Sequence, residues 1–170
     1  MDMSSSELSS SPVGGLCTQD LHTLEWANRW PLTYTNWDRA QPQIDKDKRA
    51  GVMDASTGLW SMQPEDTRAY FVCLDKSTLN ASPPPTLPPS TGGTCPPDWM
   101  PLGPYCYSFQ VEQQQYYSNA YQLCQQVRAT LVTLGSSGEN EAVRLEALRR
   151  YTMAVPRPPT DDPRRRLWIG

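Results

Sequence analysis

At 170 residues the chain has room for one ordinary domain or two small ones. A net charge of −3, on a chain that is 38% apolar and 19% charged, gives no reason to expect nucleic acid or an anionic membrane as partner. No window approaches the run of about 18 apolar residues that a membrane span needs, and residues 1–15 have neither the basic nor the apolar region of a secretory signal.

Residues 1–23, Ser-rich at the start, are expected to form a disordered N-terminus that holds Cys17 and the single histidine, His22. From 24 to 75 the pattern is short strands and loops, with no helix. Leu32–Trp37 alternates and is rich in β-formers, so a strand is predicted there. A polar loop follows over 38–50 and contains Pro42. Gly51–Asp54 and Gly58–Trp60 frame a tight hairpin with Ala55–Gly58 as its turn. Ala69–Cys73 reads as a buried final strand. Residues 76–94 are a Ser/Thr/Pro tract that cannot build a core, and consecutive prolines make it an extended linker. Asn80-Ala81-Ser82 within it is an N-glycosylation sequon.

From 95 onward, Cys95–Phe109 reads as a hairpin about a Gly-Pro turn. Tyr117, Ala120, Tyr121 and Cys124 recur at spacings of three and four, which predicts a helix over 116–126 with Cys124 facing inward. Ala129–Leu134 is a short β-prone segment. A capping box, Ser136 with Glu139, opens a second helix that runs through Ala142, Leu145 and Leu148 to about Tyr151. Its Arg-rich end is expected to be favoured by the helix dipole. Residues 154–166 form a Pro- and Arg-rich loop, and Leu167–Gly170 begins a strand.

The residue inventory argues against an enzyme. His22 offers no Ser/His or Cys/His pair with the folded parts, and no phosphate-cradling glycine motif occurs. Glu139, Glu141 and Glu146 read as a solvated helix face, and Arg164–Arg166 as a solvated insertion or a small basic contact patch. Five cysteines leave at least one thiol without an intramolecular partner, and one histidine is too few for a structural zinc site. Free thiols remain one reading, whereas the short spacing of Cys95 and Cys106 suits a stapled hairpin.

The order of these features resembles a known family. Residues 95–170 resemble the first half of a long-form C-type lectin-like domain. The motif residues are Cys-x-x-x-Trp from Cys95, Cys106-Tyr-x-Phe, Ala120-x-x-x-Cys124, Leu131-Val-x-Leu, the Glu-rich second helix and Trp168-Ile169-Gly170. Residues 24–75 resemble the second half of the same fold through Tyr34-x-Asn-Trp37, Gln41-Pro42, Gly58-x-Trp60 and Tyr70-Phe-Val-Cys73. Two such units joined by a Pro-rich linker resemble the mannose receptor family. The resemblance implies an α+β fold of two partial domains joined by that linker. It also implies a piece of an endocytic receptor that lies on the extracellular side of the plasma membrane and whose parent is membrane-anchored. A protein or extracellular-matrix ligand, collagen among the candidates, is expected, with no membrane contact by this segment itself.

Sugar-binding members of the family hold Ca²⁺ with a Glu-Pro-Asn or Gln-Pro-Asp loop and a Trp-Asn-Asp strand. Here the corresponding residues are Gln41, Pro42 and Gln43 in the loop and Trp60, Ser61 and Met62 in the strand. Ca²⁺ is a hard cation that needs carboxylate charge, which a thioether cannot supply. Asp45, Asp47 and Asp54 read as parts of a solvated polar loop. The expectation is a binding module with no cofactor, no metal and no calcium-dependent sugar site; a calcium-dependent lectin is the alternative.

The resemblance also implies the disulfides. Cys95 would bond Cys106. Cys124 corresponds to a helix cysteine and Cys73 to a last-strand cysteine, each of which normally bonds within its own domain. Gly51 and Glu65 fall where an inner long-loop disulfide would sit, and Cys17 matches nothing. Two outcomes stay open: two unfinished halves, or a closed, circularly permuted domain with Cys73 bonded to Cys124.

Overall fold

The computed structural model describes residues 24–75, 95–154 and 165–170. Cys17, His22, Asn80 and Arg164 lie outside them, as do the expected disordered N-terminus and the linker. In chain order the elements are β1 (Ala50–Asp54), β2 (Trp60–Gln63), β3 (Ala69–Asp75), β4 (Met100–Leu102), β5 (Tyr105–Gln115), α1 (Tyr117–Gln126), β6 (Ala129–Leu131), α2 (Ser137–Ala154) and β7 (Arg166–Ile169).

One sheet contains all seven strands, in the order β2-β1-β7-β3-β5-β4, with β6 also pairing β3. It does not divide at residues 76–94. β7 lies between β1, which it pairs antiparallel, and β3, which it pairs parallel. β3 in turn pairs β5, with Leu74 opposite Tyr107. The Cys73–Cys124 and Cys95–Cys106 disulfides are both formed, at Cα separations of 5.4 and 5.6 Å.

Each sheet face carries its own core, and strand alternation distributes the residues between them. Tyr70, Val72 and Leu74 of β3 join Leu167 and Ile169 of β7 and Tyr107 and Phe109 of β5 beneath α2. Ala69, Phe71 and Cys73 point the other way, with Trp168, toward Tyr117, Ala120 and Cys124 of α1. A strand covered on both faces reads as a continuous apolar run, which is why β3 is buried from Ala69 through Leu74. Trp168 is fully buried; its Nε1–H donates to Gln115 O at 2.8 Å, and its ring meets that of Tyr117 edge-on at 5.4 Å.

Three expectations need correction. Leu32–Trp37 is no strand: its side chains alternate in exposure, but its backbone makes only one isolated bridge, at Trp37. Alternation dictates which side chains face the core and is silent on whether a ladder partner exists. Second, the inward stripe of α2 is Glu139, Asn140, Val143, Ala147 and Tyr151, whereas Leu145 is half exposed. Of the residues along which the helix is read, Leu148 packs partly against the same core, and the buried stripe recurs at a spacing of four through Val143, Ala147 and Tyr151. Third, α2 continues to Ala154, so Arg149 and Arg150 stand above its last turn and pair with Glu146 instead, at 2.6 and 2.7 Å.

The capping box is also only half formed. Ser136 Oγ accepts the Glu139 N–H at 3.2 Å, but the Glu139 carboxylate accepts the Gly135 N–H at 2.8 Å and the Tyr107 hydroxyl proton.

Candidate functional site

Gln41, Pro42, Gln43, Trp60, Ser61 and Met62, the residues expected to mark a degenerate sugar site, gather along the edge strand β2. Trp60 fixes their frame. Its N–H donates to Asn36 O and its carbonyl accepts the Asp38 N–H, both at 2.8 Å. Its indole, wholly buried, meets Trp26, Tyr34 and Trp37 edge-on at 5.5 to 5.7 Å. Edge-to-face contact of this kind adds to simple area burial. Trp60 Nε1–H donates to Asn140 Oδ1 of α2 at 2.7 Å, and Asn140 Nδ2 donates to Gly58 O at 3.2 Å.

Gly58 makes that closeness possible. It has φ of +76°, and a Cβ there would stand 2.9 Å from both Asn140 Nδ2 and Arg144 Cδ. Arg144 fastens the same turn by donating to the Ala55 and Ser56 carbonyls at 3.3 and 3.1 Å. Neither Asn140 nor Arg144 stood out in the sequence, since nothing local marks a helix residue as the partner of a tryptophan eighty positions earlier.

From Asp38 the chain turns through Ala40, at φ of +63°, into a cis Gln41–Pro42 peptide. Gln41 Oε1 accepts the N–H of Gln43 at 3.0 Å and of Met62 at 3.1 Å. An amide oxygen has two lone pairs, so both are engaged by backbone. The Met62 side chain is turned into the core, and Ser61 Oγ accepts from Gln63 Nε2 at 3.4 Å. Asp45 is likewise turned on its own loop: its carboxylate accepts the Asp47 and Lys48 N–H groups at 2.8 Å, and these bonds hold its carboxyl below the ordinary range. Asp54 accepts from the Ser56 N–H at 2.7 Å and from its hydroxyl. Among the described residues, no three His, Cys, Asp or Glu side chains converge as a metal would require.

Beyond this edge, the arms entering β1 and leaving β2 part around a surface cavity of about 500 Å³, lined by Lys46, Asp47, Arg49, Pro64, Glu65 and Asp66. Glu65 is one of the two positions at which the resemblance implies an inner disulfide. Its carboxyl is pushed up by burial and partly restored by the Arg49 charge. Its carbonyl accepts the Tyr117 N–H at 3.1 Å, which ties this mouth to α1.

A mixed sheet with a helix on each face, a disulfide from β3 to the first helix, a stapled hairpin and a cis-proline loop against a Trp-bearing edge strand are consistent with the α+β fold of a C-type lectin-like domain. The chain is 28% identical over 121 residues to the C-type mannose receptor 2 of Homo sapiens, which covers 70% of this chain and 8% of that protein. It is 25% identical over 149 residues to human lymphocyte antigen 75, 86% of this chain and 8% of that protein. It is 23% identical over 137 residues to the mouse secretory phospholipase A2 receptor, 76% and 9%. The chain thus resembles the C-type lectin-like domain proteins of the mannose receptor family. It spans less than a tenth of the length of these relatives. No family model and no solved structure matches it.

Proposed function

We propose that the chain is a non-catalytic binding module of a receptor, acting on the extracellular side of the plasma membrane through direct contact with a protein or matrix ligand. Calcium-dependent sugar binding has no part in this reading. The observation that carries it is Gln41, whose carbonyl oxygen is committed to two backbone N–H groups beside an inward-facing Met62 thioether. Ca²⁺ takes six to eight oxygens and is held largely by carboxylates. To recruit this loop, it would have to strip both amide bonds and still lack an acid from the strand.

In the same reading, residues 24–75 are the second half of one lectin-like unit and 95–170 the first half of the next, with 76–94 as linker and Asn80 as a glycan site. The shared sheet and the Cys73–Cys124 bond favour a single permuted domain over two unfinished halves. Thermal unfolding of the oxidised chain with and without millimolar Ca²⁺ tests the proposal. One cooperative transition, at the same Tm in both, is the expected result. A rise in Tm with Ca²⁺ that mannose raises further would establish a lectin instead.

A further inference from the structure

The cavity between the two hairpin arms is distinct from the loop just described. None of Gln41, Pro42, Gln43, Trp60, Ser61 or Met62 lines it. Its walls are charged and divided by sign. The arm entering β1 brings Lys46 and Arg49, with Asp47 between them, whereas the arm leaving β2 brings Glu65 and Asp66. The register that sets Ala50 opposite Gln63 holds these arms side by side.

Opposite charges so placed would ordinarily neutralise one another, yet these five side chains make no ion pair among themselves. Arg49 Nε and Nη2 are buried without a hydrogen-bond partner, and so is Glu65 Oε1. Buried polar groups are paired in the great majority of cases, and an unpaired one costs free energy. Nε and Nη2 together are one edge of the planar fork that takes a carboxylate in two parallel bonds. A guanidinium left unsatisfied inside therefore gains by turning outward to an anion in the cavity. Glu65 gains likewise from a cationic donor. About 500 Å³ also lies within the range of small-molecule pockets.

We propose that this cavity is a binding site for a zwitterionic ligand, its carboxylate on Arg49 and Lys46 and its cationic nitrogen on Glu65 and Asp66. The chemistry is shared by a free α-amino acid and by a peptide segment that carries a basic and an acidic side chain close together. The proposal deepens the non-catalytic binding reading by naming a ligand class. It places that ligand away from the Gln41 loop, so its failure would leave the calcium test untouched.

The experiment is an amide-resolved NMR titration of the full oxidised chain. The probes are free L-lysine and the blocked peptide acetyl-Lys-Gly-Glu-amide, with sodium acetate and methylammonium as single-charge controls. At least one of these two probes, each carrying both a cation and a carboxylate, is expected to shift the amides of 46–49 and 64–66 and to bind at least tenfold more tightly than either control. Saturation by lysine alone identifies the amino-acid source, and saturation by the peptide alone identifies the peptide source. Lys46→Gln and Asp66→Asn change exposed side chains and spare the fold; each is expected to weaken binding severalfold. Arg49→Met should abolish it, provided that its spectrum remains that of the folded chain. Shifts no larger than those caused by acetate or methylammonium, or binding unchanged in both surface variants, would overturn the proposal.

Discussion

Glu139 shows how one side chain can carry opposing demands. It sits 3% exposed under α2, where burial pushes its carboxyl above the ordinary value while the bonds from Tyr107 and Gly135 pull it partly back. A raised carboxyl pKa means that the folded chain holds this proton more tightly than the unfolded one. The associated stability is therefore complete below the ordinary glutamate value and is lost as pH rises through the raised one. Glu146 runs the other way: its bonds from Arg149 and Arg150 hold it down to about 2. Its contribution is present above the ordinary value and fades as pH falls toward 2. Glu139→Gln should thus flatten the decline in stability above the normal carboxylate range and leave the acid limb intact. Urea midpoints from pH 3 to 8 measure this, and parallel curves for the two proteins would refute it. The sequence marked Glu139 as a helix cap and as part of a solvated helix face; the second reading is corrected, because the Tyr107 hydroxyl that draws it inward comes from another strand.

At the scale of elements, local pattern was a good guide wherever one element alone decided the outcome. The hairpin at Ala55–Gly58, the buried strand after Ala69 and the extent of α1 could all be read from residue order. Leu32–Trp37 and the inward face of α2 could not, because each depends on what lies across from it. α1 also shows what a single covalent bond does for an element with few anchors. Its buried residues are Tyr117, Ala120 and Cys124, with Tyr121 packed partly against the same core, and its N-cap residue, Tyr116, makes no side-chain cap bond. The Cys73–Cys124 bond closes a loop of 51 residues, for which chain entropy alone suggests about 4 kcal/mol. Cys124→Ala is expected to cost about that much in chemical denaturation, and more than Cys106→Ala, whose loop is shorter. The reverse order would show that the strand-to-helix bond is not what secures α1.

For the whole molecule, the sequence reads as two half-domains and leaves open whether they close on each other. That closure depends on β1 pairing with β7 and on β3 pairing with both β5 and β7, contacts to which no local signal points. The charged mouth was hidden for the same reason, since Lys46–Arg49 and Pro64–Asp66 meet only through hairpin register. Interleaving has a testable result. Cys73 precedes residues 76–94 and Cys124 follows them, so a cut in that stretch should not separate the parts. With a protease site placed there, the cleaved chain should run as one species without reductant and as two with it, and should keep a cooperative unfolding transition. Separation without reductant would mean that the halves are not joined as described.

The position of β7 also governs when the fold can form. Among the described strands, β7 follows all the others in chain order yet lies at the middle of the sheet: Gly51 pairs Met62 across the hairpin, but its other neighbour, Ile169, arrives more than a hundred residues later. Contacts so distant in sequence make folding slow, and until they form, the β1–β2 hairpin and the apolar edge of β3 have no neighbour. A nascent chain in that state exposes surface prone to aggregation. Closure of the sheet is thus expected to depend on chaperones and on oxidative folding after β7 has emerged, rather than to proceed strand by strand in chain order.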